Sequence, residues 1–157
     1  MRIESCTNPE VIDAIVSHPA IYPHISDDGS PKEFHSEPLI GKALFLAPIH
    51  ENKPCGIFIV HQHTFGMFEV HTCILPQYWG EVAGQAAKSL IGWVFDNTRC
   101  RTLITFVPKP NRKALRFAKR AGLKVEGYVR ESYVKNGVAH DQYLLAVHKE
   151  DTCQQPP

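Results

Sequence analysis

The sequence predicts an α+β fold, a mixed sheet of about seven strands flanked by helices, and three observations lead to this prediction. The chain has 157 residues, of which 43% are hydrophobic and 21% charged, and this is ordinary for one soluble globular domain. Short β-branched and apolar runs are separated in some places by hairpin turn signals and in others by amphipathic helices. Hairpins join antiparallel strands and helices join parallel ones, so we expect both kinds of pairing in one sheet.

The first half of the chain is predicted to contain one helix, one long loop and four strands. Asn8 is a good N-cap and Pro9 suits the first helical position, so a helix is expected from there to about His18. Residues 19–38 are rich in proline and polar residues. A loop this long in a small domain is usually functional or mobile, so we expect a lid that faces the substrate. The strands are expected at residues 2–6, 39–49, 56–63 and 69–75.

The second half is predicted to contain two helices and three strands. Pro76 ends the preceding strand, and apolar residues at helical spacing then predict a helix to about Asn97. Asn111 is expected to cap a second helix, which ends before Gly122. The strands are expected at residues 101–107, 123–134 and 142–148. Residues 1–150 thus form a single predicted domain, and the polar residues 151–157 are expected to be a frayed tail.

The strand at 69–75, the loop after it and the following helix are the part of the chain that best indicates a function. A strand that leads through a glycine-containing loop into a helix presents unpaired backbone N–H groups at the positive end of the helix dipole. This arrangement suits a phosphate group. An ordinary strand-to-helix connection would look similar, because short glycine patterns are weak signals.

Several classes of protein are disfavoured by composition. The five cysteines are odd in number, widely scattered and never in a CxxC pair, which predicts reduced and mostly buried thiols. No run approaches the ~18 apolar residues of a membrane span, and the N-terminus lacks the apolar region of a secretory signal. The sequence therefore predicts a cytoplasmic protein that does not bind a membrane.

The charge is small in total but uneven along the chain. The net charge is +1, which does not suggest a nucleic-acid partner, yet ten of the 17 lysines and arginines lie between Arg99 and Arg130. They are Arg99, Arg101, Lys109, Arg112, Lys113, Arg116, Lys119, Arg120, Lys124 and Arg130. A positive field of this kind attracts an anionic ligand, although a solvated helix face would also carry several of these residues.

Three short motifs resemble those of the GNAT superfamily of acyl-CoA-dependent N-acetyltransferases. They are Leu75–Gly80, Val107–Ala114 and Gly122-Leu123. The run Glu126–Arg130, followed by Asn136-Gly137 and Asp141, is similar to the branch that acetylates ribosomal-protein N-termini. Glu69-Val70-His71, taken with residues 18–29, is similar to small phage-encoded members of the superfamily. The resemblance implies a single GNAT-like domain.

The resemblance also implies a reaction and a cofactor site. Acetyl-CoA would be the co-substrate, and a small-molecule amine or a protein N-terminus would accept the acetyl group. The backbone near the end of strand 69–75 would pair with the pantetheine, and the amides of Gly80–Gly84 would hold the pyrophosphate. The residues implied to bind the cofactor are Cys73, Ile74, Leu75, Trp79, Gly80, Glu81, Val82, Ala83, Gly84 and Asn111. The cations Arg112 and Lys113 would lie near the ribose phosphate, which is a physical inference from their charge.

Four residues depart from the family pattern and leave an alternative function open. Trp79 and Val82 stand where the family loop has a cation or amide and a glycine, and Glu81 adds a negative charge there. Ala118 stands where many members have a tyrosine general acid. The alternative is a GNAT-fold binding or assembly protein without turnover. Its partner would be a phage or host protein or a second copy of the chain.

Acetyl transfer to an amine needs a base for the ammonium proton and an acid for the leaving thiolate. Glu69 and His71 are the predicted base candidates, because alternation places them on one face of the strand. A cross-strand ion pair and a half-buried structural histidine would be the plain alternatives. Tyr128, Tyr133 and Tyr143 are candidates for the acid, and nothing in the sequence distinguishes among them.

Three histidines, His61, His63 and His71, raise the question of a metal site on the predicted hairpin. If Phe65-Gly66 is a two-residue turn, His71 lies opposite Val60. His61 and His63 then project from the opposite side of the hairpin. We therefore expect no metal site, since a tetrahedral site needs converging ligands.

Overall fold

A computed structural model of the chain describes residues 1–152, and an eight-stranded mixed sheet organises them. The strands are β1 (Arg2–Ser5), β2 (Leu44–His50), β3 (Lys53–Pro54), β4 (Gly56–Gln62), β5 (Met67–Ile74), β6 (Thr102–Pro108), β7 (Lys124–Lys135) and β8 (Val138–His148). The helices are α1 (Pro9–Val16), α2 (Tyr22–Ile25), α3 (Glu81–Asn97), α4 (Arg112–Arg120) and α5 (Lys149–Thr152), with short 3₁₀ turns at Glu37–Leu39 and Pro76–Tyr78.

The strand order is β1-β2-β4-β5-β6-β8-β7, and β3 pairs with β2 beside this path. Strands β5 and β6 pair in parallel, and the other pairs recorded within residues 1–152 are antiparallel. Helix α3 connects the two parallel strands, as a crossover must. The predicted α+β class, with hairpins and helical crossovers in one mixed sheet, is confirmed.

Helices cover both faces of the sheet. Helices α3 and α4 bury one face, where Leu90 and Val94 of α3 pack with Phe58 and Leu103 of the sheet. Helix α1 buries part of the other face through the apolar residues that the sequence places at helical spacing. This smaller core consists of Ile12, Ile15, Val16, Ile21, Phe45, Ala47, Ile57, Ile59 and Cys73. The sheet is thus the middle of three layers.

Most predicted elements lie within a few residues of the observed ones, and the differences have local causes. Strand β2 begins at Leu44 rather than residue 39, because a 3₁₀ turn and Gly41, with φ of +86°, precede it. Strand β8 begins at Val138 rather than Gln142. Asn136 and Gly137 both have positive φ and form a tight turn, so Lys135 already pairs with Val138.

The segment predicted as a long loop at 19–38 contains α2 and is bonded to the β7–β8 turn. The Tyr133 hydroxyl donates to the Ser26 carbonyl at 2.6 Å, and the Lys135 ammonium donates to the same oxygen at 2.7 Å. The Asp28 carboxylate accepts the backbone N–H groups of Asn136 and Gly137 at 2.7 and 2.8 Å. These bonds fix residues 26–28, here called the 26–28 loop, on the sheet.

The remaining sequence predictions concern cysteines, the tail and membrane segments. Cys55, Cys73 and Cys100 are buried, Cys6 is partly buried, and none of these four forms a disulfide, whereas Cys153 lies outside the described residues. Of the predicted tail, residues 151 and 152 belong to α5, and residues 153–157 lie outside the described part. Among residues 1–152, no helix is both long enough and apolar enough to cross a membrane.

Candidate active site

The parallel strands β5 and β6 pair only at their beginnings and then separate. Their register runs from Met67 opposite Thr102 to Glu69 opposite Ile104 and ends there. At the point of separation the Thr105 hydroxyl donates to the Val70 carbonyl at 3.0 Å, bridging the two strands with a side chain. A gap, here called the β5–β6 gap, therefore opens between the C-terminal halves of these strands.

Only alternate residues of β5 present backbone groups to the β5–β6 gap. The Leu75 N–H donates to the Cys55 carbonyl at 3.0 Å, and Cys73 lies opposite Ile57 of β4. Because alternate residues of an antiparallel strand bond to the same neighbour, the backbone groups of Thr72 and Ile74 point toward β6. The backbone of Cys73 and the Leu75 N–H are directed to β4, and the Leu75 carbonyl accepts the Tyr78 N–H, so the predicted cofactor contacts of these two residues stay a prediction.

Trp79 occupies one of the backbone groups that face the β5–β6 gap. Its indole N–H donates to the Ile74 carbonyl at 2.8 Å, while 51% of the residue remains exposed. The Trp79 side chain therefore folds back over the end of β5. Of the predicted cofactor residues, Trp79 and Ile74 are bonded to each other, which the sequence alone did not indicate.

The beginning of α3 supplies free backbone donors beside the end of β5. Gly80 precedes the helix with φ of +97°, a conformation that side chains other than glycine rarely adopt. The Gly84 N–H donates to the Gly80 carbonyl, so the N–H groups of Glu81, Val82 and Ala83 have no partner within the helix. The Glu81 carboxylate lies in this first turn and accepts the Gln85 amide at 3.3 Å. The predicted strand, loop and helix geometry is thus observed, with a negative side chain beside it.

Helix α4 presents a positive surface on the same side of the sheet as α3. Asn111 caps it as predicted, because its Oδ1 accepts the Ala114 N–H at 3.1 Å. That oxygen therefore stabilises the start of the helix, and the Asn111 amide nitrogen makes no hydrogen bond within residues 1–152. The exposed cations of the helix are Arg112, Lys113, Arg116, Lys119 and Arg120.

The β4–β5 hairpin has a different register from the predicted one. His61 lies opposite Glu69, and Ile59 lies opposite His71. The loop holds three residues, since the His63 N–H donates to the Met67 carbonyl at 2.9 Å. A shift of one residue moves every side chain of a strand to the other face. The prediction that His61 and His63 project away from His71 is therefore wrong.

The corrected register brings His61, His63, Glu69 and His71, here called the His–Glu cluster, to one face of the sheet. Nε2 of His63 lies 2.5 Å from Glu69 Oε2, and Nε2 of His61 lies 3.5 Å from the same oxygen. Nε2 of His71 lies 3.5 Å from Glu69 Oε1 and 3.2 Å from Nε2 of His61. Glu69 and His71 share a strand face, as predicted, and two further histidines join them.

The environment of the His–Glu cluster favours a neutral His71. The Glu69 side chain is only 9% exposed, whereas the side chains of the three histidines are 36 to 40% exposed. Burial lowers the pKa of His71 below its ordinary value, the charge of Glu69 opposes this, and His61 and His63 lower it further. The neutral imidazole is the form that can accept a proton from an acceptor.

Two of the three tyrosines predicted as acids are engaged elsewhere. The Tyr128 hydroxyl donates to the Asp141 carboxylate, and this bond raises the pKa of Tyr128. The Tyr133 hydroxyl donates to the Ser26 carbonyl in the 26–28 loop. Tyr143, opposite Val107 of β6, packs against the ring of Tyr128 and against the core on the α3 side of the sheet. No bond between these tyrosines and the His–Glu cluster is recorded in the described part of the chain.

Comparison with solved structures shows the fold. Spermidine N-acetyltransferase from Vibrio cholerae, in complex with CoA and spermine, matches with a TM-score of 0.81, 14% identity and 98% coverage of each chain. A GNAT-family acetyltransferase from Bacillus anthracis matches with a TM-score of 0.74, 19% identity and 96% coverage of each chain. Ribosomal-protein-S5-alanine acetyltransferase from Vibrio fischeri matches with a TM-score of 0.71 and 16% identity, covering 98% of this chain and 94% of that one.

The chain therefore has a GNAT-like fold. At these low sequence identities, the comparison supports the fold alone. A probable acetyltransferase also matches at 19% identity and a TM-score of 0.61, and this chain covers 64% of its length. A search of curated proteins found no match. The family model described as "Protein of unknown function (DUF2824)" matches residues 8–155, so the chain belongs to that family.

Proposed function

We propose that the protein is a cytoplasmic acetyl-CoA-dependent N-acetyltransferase that transfers an acetyl group directly to an amine. The observation that carries the proposal is the β5–β6 gap, which opens immediately after Glu69 on the strand that also carries His71. One strand thus offers backbone groups to a cofactor and proton-accepting side chains to an acceptor. The fold that it shares with solved acetyltransferases supports the same reaction class.

In this proposal the cofactor lies in the β5–β6 gap and continues past α3. The amides of the pantetheine pair with the backbone of Thr72 and Ile74, as an added strand would. The free N–H groups at the start of α3 bind the pyrophosphate, where the helix dipole favours negative charge. Arg112 and Lys113 of α4 are exposed cations that suit the ribose phosphate.

The His–Glu cluster acts as the base. An amine acceptor reaches the site as an ammonium ion, and His71, assisted by Glu69, removes one proton. The free amine then attacks the thioester carbonyl, a C–N bond forms, and the C–S bond to CoA breaks. The second proton of the amine reaches the leaving thiolate. Glu69 also attracts a cationic acceptor before the reaction.

The acceptor is proposed as a small polyamine or a protein N-terminus. Solved structures of similar fold include an enzyme that binds spermine and one named for acetylating an alanine of a ribosomal protein. Both acceptors bring a primary ammonium group to a carboxylate. The partly exposed histidines leave the His–Glu cluster open to such a group.

The test combines binding and turnover. Calorimetric titration with acetyl-CoA is expected to show micromolar binding, and free thiol is expected with spermidine, spermine or an alanine N-terminal peptide. Glu69→Gln should lower kcat by at least about 100-fold, because it removes the charge that supports the base, while acetyl-CoA binding stays within about twofold. Glu150→Gln, an exposed change in α5, is the matched control and should retain full activity. Thiol release from none of these amines would overturn the proposal.

A second candidate function is a GNAT-fold binding protein without turnover. The bond from Trp79 to the Ile74 carbonyl and the Glu81 carboxylate at the start of α3 both oppose a cofactor in the β5–β6 gap. Ala118 of α4 is buried and offers no acid. Absence of acetyl-CoA binding at millimolar concentration would favour this candidate. A pull-down would then search for a phage or host protein, and sedimentation would test for a homodimer.

A further inference from the structure

Within the His–Glu cluster, the nitrogen and oxygen atoms of two imidazoles and the carboxylate converge. His61 of β4 lies directly opposite Glu69 of β5, and His71 is the next residue of β5 on the same face. The ligand atoms of His61, Glu69 and His71 all lie within 4.8 Å of one another. Regular strand alternation produces this convergence on the register that the three-residue hairpin loop sets.

The separations agree with those between the ligands of one small cation. Zinc binds nitrogen and carboxylate oxygen at about 2.0–2.2 Å, so two ligands of a tetrahedral site lie roughly 3.3–3.5 Å apart. The two imidazole nitrogens are 3.2 Å apart. Nε2 of His61 lies 3.5 Å from Oε2 of Glu69, and Nε2 of His71 lies 3.5 Å from Oε1. The three side chains thus offer one ligand atom each within the reach of a single ion.

His63 has a different place in the His–Glu cluster. Its Nε2 lies 2.5 Å from Glu69 Oε2, which is a hydrogen-bond distance and too short for two ligands of one tetrahedral ion. His63 thus orients the carboxylate, as outer-shell partners of metal ligands do. The 36% and 40% exposure of His61 and His71 leaves a further coordination position open to solvent.

We propose that His61, Glu69 and His71 bind a divalent transition-metal ion, with His63 as the positioning residue for Glu69. Imidazole nitrogen favours Zn²⁺ and its neighbours in the first transition row over Mg²⁺ and Ca²⁺, which prefer oxygen ligands. Two histidines, one carboxylate and an open position match the ligand set of catalytic zinc sites. The site does not require acetyl transfer, so it stands or falls separately from the proposed function.

The test uses the full-length protein after removal of metals with a chelator. Titration with Zn²⁺ alone is expected to show one ion per chain with a Kd in the micromolar range or below. Co²⁺ should give the visible absorption of a tetrahedral ion bound to nitrogen and oxygen, and excess Zn²⁺ should remove that absorption. Zn²⁺ should also raise the Tm, because the ion binds the folded state.

Variants separate this site from general binding by surface histidines. His61→Ala and Glu69→Gln should each weaken Zn²⁺ binding at least tenfold and remove the Co²⁺ absorption. His24→Ala removes an exposed histidine outside the His–Glu cluster and should leave binding unchanged. Circular dichroism and thermal unfolding verify that each variant is folded, and Glu69→Gln keeps the shape of the side chain if His61→Ala does not fold. No stoichiometric Zn²⁺ binding, or binding that survives both ligand changes, would overturn the proposal.

Discussion

Trp79 is the residue that bears most directly on the proposed cofactor binding. Its indole N–H donates to the Ile74 carbonyl, one of the few backbone groups of β5 that face the β5–β6 gap. A pantetheine amide would need the same oxygen as its acceptor. Half of Trp79 is exposed, so the side chain has room to leave. The protein thus holds its own donor where the proposed cofactor donor would lie.

Replacement of this donor should strengthen cofactor binding. Trp79→Phe keeps an aromatic ring but removes the N–H, which frees the Ile74 carbonyl for the pantetheine. A net hydrogen bond contributes about 1 kcal/mol, so we expect acetyl-CoA to bind roughly three- to tenfold more tightly in a calorimetric titration. Trp93→Phe, within α3 and away from the gap, is the control and should leave the affinity unchanged. Unchanged or weaker binding by Trp79→Phe would show that the cofactor does not use this carbonyl.

Side chains of the site were only partly predictable from sequence. Alternation along one strand is local, so the shared face of Glu69 and His71 follows from their spacing. The positions of His61 and His63 depend on whether the hairpin loop holds two residues or three. The sequence Thr64-Phe65-Gly66 is compatible with a loop of two or of three residues. A change from one loop length to the other moves the side chains of one strand to the opposite face relative to its partner.

At the scale of elements, the 26–28 loop depends on the β7–β8 turn. Asp28 accepts two backbone N–H groups from that turn, and its own N–H donates to the Val134 carbonyl at 2.9 Å. The bonds from Gly137 and then Asn136 lower the pKa of Asp28 below its ordinary value of 3.8. The folded state therefore favours the ionised form of the Asp28 carboxyl group.

The lowered pKa of Asp28 predicts how the stability of the folded protein changes with pH. A carboxyl group whose pKa is lower in the folded state contributes stability above its unfolded pKa and loses it as the pH falls through the folded pKa. Asp28→Asn should therefore lower the Tm at pH 7. The difference in Tm between the variant and the unchanged protein should shrink as the pH falls below about 4. Thermal unfolding followed by circular dichroism at several pH values measures this.

Asp151→Asn, an exposed change in α5, serves as the control for Asp28→Asn and should alter the Tm little at any pH. A Tm difference between Asp28→Asn and the unchanged protein that stays constant from pH 7 to about pH 3 would contradict the linkage. In that case the bonds to the β7–β8 turn would not depend on the ionised carboxylate.

Elements with strong local signals were predictable, and those that depend on tertiary contacts were not. Asn8 and Asn111 cap their helices, and Gly122 follows α4 with φ of +106°, as their sequence positions predict. By contrast, α2 has only four residues, and the residues that follow it are held in place by hydrogen bonds to the distant residues 133–137. No window of local sequence contains both ends of such a contact.

At the scale of the whole molecule, the proposed function assigns both the cofactor and the acceptor to β5. Its backbone edge at Thr72 and Ile74 faces the β5–β6 gap, while the side chains of Glu69 and His71 project from one face of the sheet. The order of helices and strands predicts this sheet, but the partial separation of β5 and β6 does not follow from any local pattern. The separation arises where Thr105 replaces a backbone bond with a side-chain bond.

This double use of β5 predicts how a metal ion would affect acetyl transfer. A metal ion on His61, Glu69 and His71 would occupy the lone pairs that accept the ammonium proton, so Zn²⁺ should inhibit transfer and a chelator should restore it. Acetyl-CoA binding should stay within about twofold, because the proposed function places the cofactor on backbone groups of the gap and not on the His–Glu cluster. Initial rates at several Zn²⁺ concentrations, each relative to the zinc-free rate of the same variant, measure the effect.

His24→Ala should be inhibited by Zn²⁺ like the unchanged protein, whereas inhibition of His61→Ala should need at least tenfold more Zn²⁺. Equal inhibition of both variants would place the inhibitory ion elsewhere, and loss of activity on chelation would show that the metal assists the reaction rather than blocking the base.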